Sequence, residues 1–147
     1  MYAGAAIAMA VKQPALALPL AFLSHFVLDA MPHYGREGVR NIKGVFHHKT
    51  TVALESLNLV AVPFLAYLTW DQSWWVWLAA LVAIAPDFSW IYRYVKFEWR
   101  GRELPLADNW FTHFHLAIQW CERKWGIFLE LPVLVGLMML SAELASW

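Results

Sequence analysis

Long apolar runs separated by short polar connections constrain this chain more than any other feature. They cover residues 14–30, 50–70, 74–94 and 126–145, and a shorter run of small apolar residues precedes them at 2–11. Their lengths of 17 to 21 residues approach the roughly 20 that a helix needs to cross the hydrocarbon core of a bilayer. In lipid every backbone N–H and C=O must be satisfied inside its own segment, so such runs fold as helices. Composition points the same way. Hydrophobic residues make up 61% of the 147, above the roughly 45–50% of soluble domains. The expected fold is all-α: one integral-membrane domain over 1–147, a polytopic transmembrane bundle of about five to six helices, some short or broken. The alternative is a soluble helical protein, which would have to cover all of these runs at once.

Proline marks the breaks. Lys12-Gln13-Pro14 separates the first run from the second, with Pro14 placed for the first turn of a helix. The second run, at the lower limit for spanning, either crosses or pairs with 2–11 as two halves of a broken element. Pro32 ends it, and Pro86-Asp87 interrupts the run 74–94. Residues 106–122 read as an amphipathic helix with Asp108, Asn109, His113, His115 and Gln119; it is too polar to face lipid all round and belongs in the bundle interior or at the interface. The connections 36–49 and 93–102 are rich in Lys and Arg, whereas 71–73 has none. The positive-inside bias makes the two basic connections cytoplasmic, with the tryptophans at 70, 74, 75 and 77 as an aromatic belt at the far interface. The apolar start lacks the basic leader of a cleavable signal peptide. A formal net charge of zero gives no ground for a nucleic-acid partner, and the single cysteine, Cys121, excludes an internal disulfide and a Cys-rich zinc module.

Ionisable groups inside apolar runs are expensive, so each is a candidate site residue. They are His25, Asp29, Glu55, Asp87, His113, His115 and Glu130. His25 and Asp29, four apart, share a helix face and can grip one cation; a plain hydrogen-bonded pair is the alternative. His33 continues the spacing, but Pro32 turns it toward the mouth of the site. Asp29, Glu55 and Asp87 all lie near the basic connections, hence at similar depth, and the segment with His113 and His115 follows the second connection. Gathered carboxylates in a low-dielectric bundle would protonate unless a divalent ion compensates them. Imidazole with carboxylate suits zinc, and also manganese or ferrous iron. Such a mixed site with a position left for water is of the catalytic kind. The expected ligands are His25, Asp29, Asp87 and His113. Asp87 has helix capping as its alternative. His113 and His115 diverge by about 200° on a helix, so one of them ligates; His113 is the choice, leaving His115 for proton transfer. Glu55 serves as general base or ligand, or equally as an interhelical hydrogen-bond partner. His48, seven residues before Glu55 and on its face, is a second-tier candidate. Glu130 reads as an interface pair with Arg123 or Lys124.

The elements His25-x-x-x-Asp29-x-x-Pro32-His33, Ala85-Pro86-Asp87 and Phe111-Thr-His-Phe-His-Leu-Ala-Ile-Gln119 together resemble the small bacterial inner-membrane proteins described as predicted membrane-bound, metal-dependent hydrolases of the YdjM type. The first is also similar, as a short motif, to zinc-dependent phospholipase C and P1-type nucleases. Where members of that family often carry Arg-Gly-x-Thr-His-Ser, this chain reads Phe46-His-His-Lys-Thr-Thr51. The resemblance implies hydrolysis. With basic residues such as Arg36, Arg40, Arg93, Lys96 and Arg100 flanking a site at headgroup depth, the expected partner is a membrane lipid and the expected substrate its phosphoester, in a phospholipid or polyprenyl phosphate. An ion transporter or a non-catalytic scaffold are the alternatives. A transporter would place polar groups in both halves of the membrane, and the segment 60–80 has none beyond its turn.

Overall fold

A computed structural model describes residues 1–34, 49–103, 105 and 109–147, without the side chains of 49–55, 58, 59, 90, 122 and 124. His48, together with His47 and Asp108, lies outside the described residues, and so does the side chain of Glu55. Seven α-helices are present among them, more than the five to six expected, because the run 74–94 divides at Pro86: α1 (Tyr2–Val11), α2 (Pro14–Ala30), α3 (Lys49–Leu68), α4 (Trp74–Ile84), α5 (Phe88–Lys96), α6 (Trp110–Ile118) and α7 (Ile127–Ala145). Of the segment expected as one helix over 106–122, the described residues 109–122 are helical over α6. The protein is all-α apart from two parallel two-residue strands, β1 (His33–Tyr34) and β2 (Glu122–Arg123).

The centre of the bundle is α1, which packs on α2, α4 and α7. Seven of its ten residues are buried, as a helix apolar on every side requires. Lys12 takes a left-handed conformation that ends it, and α2 folds back against it from Pro14. Thus α1 and α2 pack side by side as a helical hairpin. The contacts are built from small side chains: Ala5, Ala8, Ala17, Ala21, Ala79, Ala80 and Ala83 form the core with a few larger residues. Gly4 lets α1 approach α4 so closely that a Cβ there would lie 2.7 Å from the Ala83 Cβ. Tyr2 donates its hydroxyl proton to the Ala61 carbonyl of α3.

Large apolar residues face outward instead. Leu16, Leu20, Leu23 and Val27 on α2 are exposed, as are Phe128, Val135, Met139 and Leu140 on α7. On α5 the pattern is inverted outright: Phe88, Ile91, Tyr92 and Val95 point out, while Arg93 is buried and donates to the Pro105 carbonyl. Among the described residues one helix, α7, is long and apolar enough to cross a membrane. The stretch Trp74–Asp87 with Ile91–Arg100 passes the same criterion as a pair bent by 47°.

The two ends of the bundle differ. At one, Gln72 in the turn before α4 reaches the Ala145 carbonyl that closes α7. At the other, β1 and β2 pair and Gly126 lies against the His33 backbone, where any Cβ would overlap it. Glu130, expected as a partner of Arg123 or Lys124, accepts the Tyr34 backbone N–H at 3.0 Å and so ties α7 to the segment after α2.

Candidate metal centre

The site grows out of the alanine stripe of α2. Ala17, Ala21 and His25 are buried at successive four-residue steps, and Asp29 continues the line. The face that packs against α4 therefore changes from methyl groups to metal-binding groups in its last two turns. Across from it, α4 ends at Ile84 ahead of Pro86, so its final carbonyls have no intrahelical donors. His25 uses one of them: its Nδ1–H donates to the Ala83 carbonyl at 3.0 Å. That bond fixes the tautomer and leaves the Nε2 lone pair facing inward, as is usual for a metal-binding histidine whose other ring nitrogen donates to a carbonyl.

The third group comes from α6. Asn109 caps this helix, its side chain accepting the Thr112 N–H at 2.9 Å, and the cap sets the helix phase. Thr112 and His115 then point inward and are buried, whereas His113 is exposed. The choice between the two histidines thus falls the other way from the sequence expectation, because the start of the helix lies at Trp110 and its inner face runs through 112, 115 and 119. His115 Nε2 stands 2.8 Å from Asp29 Oδ2 and 3.2 Å from His25 Nε2. His25 Nε2 is 3.3 Å from the same carboxylate oxygen.

These three atoms form a compact triangle. With metal–ligand bonds of about 2.0–2.1 Å, neighbouring ligands of a tetrahedral zinc lie about 3.3 Å apart. Two of the three edges meet that value and the third is shorter, a gap that entry of an ion would open slightly. The donors fit as well. Two lone pairs, on His25 Nε2 and Asp29 Oδ2, converge on the single proton that His115 Nε2 can carry. A cation satisfies all three atoms. His25, Asp29 and His115 can hold a metal ion.

Asp87 stands at the edge of the group, its Oδ1 3.6 Å from His25 Nε2 and its side chain half exposed. It occupies the N-cap position of α5 but makes no capping hydrogen bond, so capping does not explain it. His33 lies apart in β1, its ring donating to the Met31 carbonyl at 2.9 Å. This follows from Pro32, since α2 ends at Ala30 and Met31 is extended.

Phe26 and Phe111 close the flank. Phe26 meets His25 and His115 edge-on, and Phe111 leans on His115, excluding water from one side and restricting both imidazoles. Gln119 is the site residue that sequence reasoning left without a role. Its Nε2–H donates to Asp29 Oδ2 at 3.2 Å. The signal was present in the chain, since His115-x-x-x-Gln119 repeats the spacing of His25-x-x-x-Asp29.

Comparison with family models, curated proteins and solved structures gave no match. The site's own chemistry therefore carries the functional reading.

Proposed function

We propose that this protein is a polytopic inner-membrane hydrolase in which His25, Asp29 and His115 hold a divalent metal ion, zinc in the first instance, near the cytoplasmic face. The substrate class is a phosphoester of a membrane lipid. The observation that carries the reading is the convergence of two imidazole nitrogens and one carboxylate oxygen from two helices, α2 and α6, within 2.8–3.3 Å of one another.

The membrane reading is supported by the inversion of side-chain size, with alanine inside and leucine, valine and phenylalanine outside. In water, large aliphatic groups drive burial; in lipid, helices associate through small residues that let backbones approach. The depth of the site is supported by the end of the bundle at which it lies. The basic stretch 93–102 begins in the last turn of α5, the helix that starts beside the site at Asp87, and the turn 71–73 lies at the other end.

A bound divalent ion would supply Lewis-acid activation of water and of a phosphoryl oxygen. The chain's own groups would do the rest. Asp87, exposed at the open side, takes the proton from the attacking water, a role that replaces the expected one of ligand. His25 stays locked on the Ala83 carbonyl, and Phe26 and Phe111 keep bulk water from the closed flank. Glu55 stays a candidate general base or ligand, and His48 a second-tier candidate, on sequence position alone. Manganese or ferrous iron would suit the same donors.

Elemental analysis of the detergent-purified chain tests the proposal, with turnover measured on a phospholipid in mixed micelles. One equivalent of transition metal and metal-dependent phosphoester cleavage are expected. Asp87→Asn should keep the metal and lose turnover. A protein without stoichiometric metal, whose stability is unchanged by His25→Ala with Asp29→Ala, is a scaffold and sinks the reading.

A further inference from the structure

The two helices that build the site present the same spacing to each other. On α2, His25 is followed four residues later by Asp29; on α6, His115 is followed four residues later by Gln119. Each pair lies on one helix face, and the two pairs interlock. His25 faces His115 at 3.2 Å, and Gln119 faces Asp29 at 3.2 Å. The amide nitrogen must be the atom turned to Asp29, since an ionised carboxylate only accepts. Resting on the metal reading above, we infer that Gln119 is a positioning residue that holds the Asp29 carboxylate in its ion-binding orientation.

Asp29 Oδ2 accepts from His115 Nε2 and from Gln119 Nε2. Once a cation takes the His115 lone pair, that ring no longer donates to Asp29. The Gln119 N–H then remains as a donor to Oδ2 and fixes the carboxylate's rotation. Gln119 is also the C-cap residue just past Ile118 of α6, where its own N–H closes the final turn on the His115 carbonyl at 3.2 Å. The same residue thus fixes the end of the helix that carries His115 and the direction of the carboxylate facing it. A neutral amide does this without adding a second negative charge beside Asp29. A bound divalent ion accordingly keeps net positive charge toward an anionic substrate.

The test is cobalt(II) binding to the full chain in detergent, read by its visible ligand-field bands, with zinc affinity taken by competition against a chelating dye. Gln119→Met and Gln119→Leu keep bulk and remove the N–H. Both should retain helical content and melting temperature, weaken metal binding about 10–100-fold, as loss of an outer-shell partner typically does, and change the cobalt band shape. Affinity within twofold of the parent with unchanged bands overturns the inference while leaving the metal reading intact. Loss of the helical fold in both variants makes Gln119 a structural residue and overturns it as well. If the parent protein itself binds no cobalt, the metal reading fails first and this one falls with it.

Discussion

Replacing Gly4 by alanine adds one methyl group at the closest approach of α1 and α4. The new Cβ would lie 2.7 Å from the Ala83 Cβ and closer still to the Ala79 carbonyl oxygen. Unstrained carbon contacts need about 3.5–4.0 Å, so the helices must part locally by about 1 Å. Overpacking of this kind costs about 1–3 kcal/mol. Helix propensity works in the opposite direction, since alanine in a helix interior gains about 1 kcal/mol over glycine. Gly136 on α7 separates the two effects, because a Cβ there meets nothing within 4 Å. Gly136→Ala should be neutral or stabilising, and Gly4→Ala should fall below it by about 1–3 kcal/mol, the propensity gain largely cancelling in the comparison. Denaturant titration in a fixed detergent, followed by circular dichroism, measures both. The displacement reaches Ala83, whose carbonyl holds His25, so Gly4→Ala should also weaken metal binding while Gly136→Ala leaves it alone. Equal stability shifts for the two variants would refute the close contact, and with it the small-residue account of the bundle.

Other outcomes follow from the same geometry. His115→Ala should reduce metal affinity by at least about 100-fold, beyond the range of outer-shell losses, whereas His113→Ala should leave it unchanged; a dye-competition titration of the pair decides which histidine ligates. Metal affinity should fall on acidification, because an imidazole binds a metal only in its deprotonated form; a pH-independent affinity would remove the imidazoles from the site. Gly126→Ala should disturb the His33 backbone it abuts and lower thermal stability by about 1–3 kcal/mol, with faster amide exchange at Tyr34, whose N–H pairs with Glu130.

Much of this architecture is legible in the chain. Apolar length gives the helices, and Pro14, Pro32 and Pro86 place the breaks because proline cannot supply the N–H that a continuing helix needs. His25 with Asp29 follows from spacing alone. The His113–His115 choice does not, since it depends on helix phase, and the phase is set by one side-chain bond at Asn109. Gln119 was missed for a different reason: a neutral amide carries no cost of burial comparable to a charge, so nothing in a search for expensive residues singles it out. The bond from the Tyr34 backbone to Glu130, 96 residues away, is one that sequence proximity does not reveal. The folding back of α2 on α1 turns on Lys12 adopting a left-handed conformation, a local event that hydropathy does not register.

The alanine interior has a consequence for how this protein tolerates change. A core of large side chains can shed a methylene and leave a cavity, and it absorbs variation by repacking. Here the buried positions have almost nothing to shed, and any enlargement pushes helix axes apart. Outward leucines and valines can exchange freely among apolar types. A saturation library would therefore read inside out: strict size limits at Ala5, Ala17, Ala79 and Ala83, and broad apolar freedom at Leu16, Val27, Val135 and Met139. The permitted volume at each position, more than its hydrophobicity, would trace the helix contacts that aim His25 and Asp29.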